Sequence, residues 1–410
     1  MRAVEVSPVP AEARTQSPFD LFLIFAGANI VATTLVTGAS LSPAFSLREA
    51  LALIAVGTVA GSALVAVLAP VGSRLGVPSM IAVRAAVGFR GAAALAVLLY
   101  LTNFAWIALN NVIGASACAR VWGGPGTEKA WSVALGILAT AVVAAGPKAV
   151  GRADRVAVPL MAFTGLVLAW RAAALPAEVW SEPGTHEMSW WRGLDVVVAY
   201  QVSWILMFAD YSRFTASART SALAVFSGLA LSSLWFMPLG AVAGRAAGGP
   251  DPGAMVGVLG IGAAGAVLMA LGTLTTNFVN VYLSALAWKT LMPRVGDGVA
   301  VWSTGLVGTA LALFSRAWLD GYAELMILLG ALLVPVGGIL LARFLGGGDP
   351  VSVPALYDRQ GAYARGRAVP AAAAWSLGAA VFFTAETHGG TLPSLAVSFL
   401  VYRALATRAR

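Results

Sequence analysis

The sequence predicts an all-α polytopic membrane protein with about twelve transmembrane helices. Of its 410 residues, 59% are hydrophobic and only 11% charged, against the ~25% charged residues of a soluble domain. Apolar runs close to the ~20 residues needed to cross a ~30 Å hydrocarbon core as a helix recur from Phe19 to Tyr402. The short alternating strands of a transmembrane barrel are not seen in the pattern.

The spans expected in chain order are 19–42, 49–70, 91–119, 131–146, 156–175, 194–210, 219–243, 254–286, 298–315, 322–345, 369–385 and 391–406. The third and eighth are long enough to require tilt or interfacial ends. An N-terminus in the cytoplasm puts 19 of the 26 basic residues on the inside, from Arg2 and Arg14 to Arg408 and Arg410. The loop between spans five and six carries Glu178, Glu182 and Glu187 instead. This is the positive-inside pattern, with both termini cytoplasmic and a bacterial-type inner or plasma membrane as the expected location. The net charge of +8 is explained by these dispersed anchors, so no nucleic-acid partner is expected. The polar start, MRAVEVSPVPAEARTQSP, has no apolar core with a cleavage site, so the first span is expected to direct insertion. The lone cysteine, Cys118, lies in an apolar segment and reads as packing.

The chain divides into a tail (1–18), five spans (19–175), an external loop (176–193), five more spans (194–345), a cytoplasmic loop (346–368), two further spans (369–406) and a short tail (407–410). Five is odd, so the second set of five would insert upside down relative to the first. That is the inverted-repeat plan of many secondary transporters.

In the first span, FAGANIVATTLVTGAS, an otherwise apolar segment is interrupted by Gly27, Asn29, Thr33, Thr34, Thr37 and Gly38. Glycine costs about 1 kcal/mol relative to alanine in a helix, so unwinding near Gly27 is the expectation. Such a break exposes carbonyls able to hold a cation. Close helix packing by small residues is the alternative. In the third span, LTNFAWIALNN, Asn103, Trp106 and Asn110 share one helical face. Trp106 is roughly mid-span, away from the interface tryptophan prefers. A ring flanked by amides suits a planar heterocycle, with base-on-aromatic stacking worth ~1–3 kcal/mol in nucleic-acid complexes. Internal packing, with the asparagines joining helices, accounts for the same spacing.

The eighth span, LGTLTTNFVNVYLSAL, carries Gly272, Thr276 and Asn280 at i, i+4 and i+8, with Thr273 and Asn277 beside them. Neutral oxygens suit an alkali cation, whereas threonines bonding back to their own helix would be structural. In the sixth span Gln201, Ser203 and Trp204 add polar and aromatic surface, and Asp210 and Arg213 mark its cytoplasmic end. Asp20, Asp195, Asp210 and Glu324 all lie near span ends, which favours sodium over protons as the coupled ion. His186 and His388 fall in predicted external loops, and no P-loop or nucleophile–base pair stands out, so no enzyme activity and no cofactor are expected.

FAGANI, GVPSMIAVRAAVGFRG, WIALN, SWILMFADYSRF and TTNFVNVYLSAL occur in this order. In their order and spacing the chain resembles the nucleobase–cation symporter family of cytosine, purine, hydantoin and thiamine-precursor permeases. The resemblance implies the sodium-symporter fold, ten core helices in a 5+5 inverted repeat, plus two C-terminal helices. It implies symport of a small planar heterocycle with a cation, sodium foremost, by alternating access. It places the sodium ligands on the carbonyls near Gly27 and Ile30, the carbonyl of Gly272 and the hydroxyls of Thr275 and Thr276. Trp106 matches the family's ring-stacking tryptophan and Asn110 its neighbouring amide, with the span-eight amide at Asn277 or Asn280. Asn29, Gln201 and Trp204 complete the expected substrate contacts. Where the hydantoin and cytosine members have an aromatic wall in span six, this chain has Gln201, leaving Tyr200 or Trp204 as substitutes. SWILMFADYSRF leans toward the hydroxymethylpyrimidine subgroup.

Overall fold

The computed structural model describes residues 6–124, 126–292, 294–314, 317, 320–346, 350–364, 367–385 and 388–408. Arg2, Arg365 and Arg410, assigned above to the inner face, lie outside the described residues, as do the side chains of Lys148 and Arg408.

The first span is broken. Helix α1 (Pro18–Asn29) starts on a capping box between Ser17 and Asp20, and α2 (Ala32–Ala39) follows at a bend of 57°. The break falls at Ile30–Val31, not at Gly27: Ile30 sits at ψ 63° and Val31 is extended at φ −140°, ψ 167°. Four β-branched residues flank or form this step, and their stiff side chains weaken the helix more locally than one glycine does. Gly27 stays helical and uses its small size elsewhere, since a β-carbon there would lie 3.3 Å from Val158.

Span two comprises α3 (Leu47–Ala66) and α4 (Ala69–Leu75), followed by the short α5 (Ser79–Ala82). Span three is α6 (Arg84–Trp122), kinked at Gly88, whose φ of 69° is one that glycine tolerates and other residues resist. Spans four and five are α7 (Glu128–Ala144) and α8 (Pro147–Ala173). The short α9 (Ala177–Ser181) lies in the loop that follows. Span six is α10 (Trp190–Val202), which ends at Ser203 and continues as 3₁₀ turns at Ile205–Met207 and Ser212–Phe214. The sixth span is therefore interrupted, like the first.

Span seven is α11 (Ala218–Ala247). The continuous eighth span expected over 254–286 is instead two helices, α12 (Pro252–Val258) and α13 (Gly262–Leu291). Gly260 and Gly262, at φ 59° and 44°, turn the chain between them. Spans nine to twelve are α14 (Asp297–Leu311, extended to Phe314 by a 3₁₀ turn), α15 (Tyr322–Phe344), α16 (Ala368–Thr384) and α17 (Thr391–Arg408).

These helices form two groups. One gathers α1, α2, α3, α10 and α11, and the other α6, α7, α13 and α14, with α6 and α13 packed along much of their length. Helices α15, α16 and α17 pack together, and α15 also packs on α10. In the first group α2 and α11 approach at backbone distance: a β-carbon on Gly38 would overlap the Met237 carbonyl, and one on Gly240 the Leu35 carbonyl. Small residues at such crossings are how lipid-embedded helices gain van der Waals contact.

The two faces of the bundle are tied differently. On the basic face the N-terminal segment lies across the helix ends: Val9 donates to the Gly76 carbonyl, Gln16 to that of Phe214, and Arg14 to those of Val9 and Ser73. On the opposite face the buried Arg245 donates to the carbonyls of Phe45, Glu182 and Pro183, holding the 176–189 loop against the end of span one. Asp195 there accepts from the N–H groups of Gly390 and Thr391, capping α17.

Candidate functional site

The break in span one sits against α13. A β-carbon on Gly272 would lie 3.2 Å from the Ala32 nitrogen and 3.4 Å from the Val31 α-carbon, so glycine admits this approach. The last turn of any helix leaves carbonyls without i+4 donors. Here the Ala26 carbonyl accepts from the Ile30 N–H (2.9 Å), and the Asn29 carbonyl from Thr34 Oγ1 (2.6 Å). The Gly27 carbonyl belongs to the same turn and faces the end where the chain departs from helical geometry.

On α13, Thr275 Oγ1 and Thr276 Oγ1 both donate to the Gly272 carbonyl, at 3.2 and 2.8 Å. Each hydroxyl spends its proton there and keeps its oxygen lone pairs. Of the expected cation ligands, the α13 oxygens of Gly272, Thr275 and Thr276 are held together, beside the Val31–Ala32 step that follows Ile30. That donor chemistry fits a hard, singly charged cation. Met161 and Val158 of α8 close the site from the side, next to Thr275 and Gly27 respectively.

One helical face of α6 presents Asn103, Trp106 and Asn110. The buried Trp106 ring meets Tyr200 of α10 edge to face, with centroids 5.9 Å apart and planes at 84°. Tyr200 Oη is 2.6 Å from Thr34 Oγ1 and 3.4 Å from Thr33 Oγ1. The Thr34 proton is committed to the Asn29 carbonyl, so the phenol is the donor to Thr34. Tyr200 thereby links the tryptophan to the span-one break. Tyr322 adds a second phenol, 2.5 Å from Thr37 Oγ1.

The expected amides separate into three sets. Asn110 Nδ2 donates to the Trp106 carbonyl at 2.8 Å, leaving its Oδ1 buried without a partner. Asn280 is buried with its Nδ2 unpartnered, while its backbone carbonyl accepts from Asn103 Nδ2. These two present one open acceptor and one open donor. Asn277 instead donates to Asn111 Oδ1 at 2.9 Å, joining α13 to α6. Asn29 and Gln201 converge on Ser233 of α11, at 2.6 and 2.7 Å, on the span-seven side of their helices. Their NH₂ groups are engaged there, and only Oδ1 and Oε1 remain without partners. Trp204 packs on Phe25, with centroids 5.6 Å apart, one helical turn from Tyr200.

Of Tyr200 and Trp204, Tyr200 is the one in contact with Trp106, while Trp204 packs on Phe25. Asn103 and Ser284 form a further α6–α13 link at 2.9 Å. Asp154, within α8 near its start, has a buried Oδ1 without a partner and is absent from the carboxylates noted at span ends. Its signal was a lone acid between Arg152 and Arg155, which resembles an ordinary basic loop.

A family model described as "Permease for cytosine/purines, uracil, thiamine, allantoin" matches residues 8–402. The chain belongs to that permease family. The cytosine permease of Escherichia coli (strain K12) is 24% identical to it over 347 residues, which cover 82% of this chain and 80% of the relative. Among solved structures, the inward-facing conformation of Mhp1 superposes on the permease with a TM-score of 0.86 at 21% identity, covering 98% of this chain and 92% of the other. Mhp1 in a closed conformation with bromovinylhydantoin bound gives 0.83 at 21% identity, covering 98% and 94%. That structure's own description is of a nucleobase-cation-symport-1 family transporter. The permease is thus a multi-pass membrane transporter of the cytosine/purine permease family with an all-α transporter fold, and not an enzyme.

Proposed function

We propose that the permease carries a nucleobase or related planar heterocycle, of the cytosine, purine or hydroxymethylpyrimidine type, in symport with Na⁺. The observation that carries this reading is the seam between the two helix groups. The span-one break packs against Gly272 of α13, whose carbonyl holds the Thr275 and Thr276 hydroxyls, and the Thr33–Thr34 segment that follows the break joins Tyr200 and, through it, Trp106. A cation at Thr275 and Thr276 would fix the broken span, and through Thr34 would fix Tyr200. The ring would then stack on Trp106 while Asn110 Oδ1 accepts from its edge and Asn280 Nδ2 donates to it. Stacking requires the Tyr200 ring to leave its edge-on contact, so ligand entry and the position of span six are linked. Asn29, Gln201, Trp204 and Asn277 support this site by holding spans one, six and eight in place, with Asn29, Gln201 and Asn277 keeping one acceptor each.

Rocking the group containing spans one and six against the group containing spans three and eight would expose the seam to each side in turn. With the basic face cytoplasmic, as the positive-inside rule requires, one positive charge moving through 100 mV supplies about 2.3 kcal/mol. That amounts to a roughly 50-fold substrate gradient at a tenfold per 1.36 kcal/mol, before any sodium gradient is added.

Proton coupling is the second reading, and the unpartnered Asp154 favours it. Thermal-shift measurements on purified permease with cytosine, uracil, adenine, allantoin, a hydantoin and hydroxymethylpyrimidine, each in sodium and in potassium, separate the two. The sodium reading expects one heterocycle to stabilise the protein more in sodium, and Trp106→Ala to remove the shift. A shift indifferent to sodium, with uptake abolished in Asp154→Asn, would replace sodium by protons.

A further inference from the structure

A cavity of about 700 Å³ opens on the basic face between the start of α6, the end of α13 and the segment leading into α16. It lies outside the seam of the candidate transport site. Three arginines line it, Arg84, Arg90 and Arg359, and no carboxylate among the described residues does. Arg84 is held in place: its Nη1 donates to the Leu356 carbonyl at 2.9 Å and its guanidinium lies 4.4 Å from the Phe89 ring centroid. Its Nε is buried without a partner. Arg90 and Arg359 are exposed and have no ion-pair partner among the described residues. Asp297 pairs with Lys289, and Asp358 accepts from the Gln360 N–H.

Below the arginines the wall changes character. Ala92, Ala93 and Ala96 form a shallow apolar strip along α6, facing Leu291 and Val369. Val369 is 77% exposed, on a helix that belongs in lipid. Three arginines and a run of small apolar residues lining one cavity form a site for an anion that carries a hydrocarbon tail. Basic pockets between helices on the cytoplasmic side are where anionic headgroups bind.

We propose that this cavity binds a phosphate group through Arg84, Arg90 and Arg359, with an anionic phospholipid as its source. The phosphate would receive the free guanidinium donors, and one acyl chain would lie along Ala92, Ala93 and Ala96. The site joins α6, which carries Trp106, to α16 outside the ten-span core, so its occupant bears on how those helices move together.

Native mass spectrometry of the detergent-purified permease tests this, with dioleoylphosphatidylglycerol, dioleoylphosphatidylcholine or inorganic phosphate added. One tightly retained phosphatidylglycerol, absent with phosphatidylcholine, is the expected result. Arg90→Gln and Arg359→Gln should each weaken its retention about five-fold, which is ~1 kcal/mol per arginine near the surface. The double variant should weaken it about 25-fold. Both arginines are exposed, so unchanged folding is checked by the elution profile and Tm. Displacement of the lipid by millimolar inorganic phosphate, with phosphate itself protecting the protein thermally, would uphold the arginine site and assign it to a soluble anion. Retention of either lipid to the same extent by wild type and the double variant would overturn the proposal, as would no retention of lipid and no effect of phosphate.

Discussion

Replacing Thr276 by valine keeps the shape of the side chain and removes one oxygen from the proposed cation site. Without cation the cost is small. The Thr276–Gly272 hydrogen bond of 2.8 Å is lost, but the Gly272 carbonyl retains Thr275 at 3.2 Å. A neutral intramolecular hydrogen bond contributes ~0.5–1.5 kcal/mol, and here the acceptor is not left bare. With cation the cost is larger, because the lost partner is a ligand to a charge in a dry site. Interactions with charged groups are worth ~1.5–3 kcal/mol, which converts to sodium binding weaker by about ten- to a hundredfold. The assay is heterocycle binding to purified permease, by Tm or intrinsic tryptophan fluorescence, titrated with NaCl at constant ionic strength. Thr276→Val should move the sodium midpoint up by that factor while the Tm in potassium falls by only a few degrees. Thr276→Ser, which retains the oxygen, should stay near wild type. A sodium midpoint unchanged in Thr276→Val, with ligand binding intact, would refute the assignment of α13 to the cation.

Trp106→Ala should weaken heterocycle binding by roughly 5- to 150-fold, from the ~1–3 kcal/mol of ring stacking, measured by equilibrium binding of radiolabelled ligand. The asparagines of α13 should divide by role. Asn277→Ala strands the Asn111 amide in the α6–α13 seam and should lower stability by ~1–3 kcal/mol with sodium dependence preserved. Asn280→Ala should reduce ligand affinity with little change in Tm; equal effects of the two on affinity would contradict the division. Gly240→Val drives a β-carbon into the Leu35 carbonyl, and overpacking of this kind costs ~1–3 kcal/mol or more. It should appear as a lowered Tm and poor recovery of monodisperse protein.

The sequence made the membrane class legible because composition and run length depend on no tertiary contact. The broken first span was legible for the same reason, since its polar residues stand out against an apolar background. The place of the break was not: glycine drew attention to Gly27, while the accumulated β-branching at Ile30, Val31, Thr33 and Thr34, with the Thr34–Asn29 hydrogen bond, sets it at Ile30–Val31. The eighth span misled because Gly260 and Gly262 lie in a run apolar enough to pass as continuous helix. Amide roles were beyond reach. Helical periodicity gives a residue's face, but not whether that face meets ligand or another amide. Asn29 and Gln201 turn toward Ser233, some two hundred and some thirty residues away in sequence. Asn277 and Asn280 differ only in which neighbour α6 offers them.

The most direct measurement is uptake into proteoliposomes of the heterocycle identified by thermal shift, with an inward sodium gradient, an inward potassium gradient, or an inward proton gradient imposed in turn. Sodium-symport predicts accumulation above the external concentration in the sodium gradient alone, enhanced by a negative interior potential and strongly reduced in Trp106→Ala and Thr276→Val. Equal accumulation without sodium, driven by the proton gradient and indifferent to Thr276→Val, would contradict it.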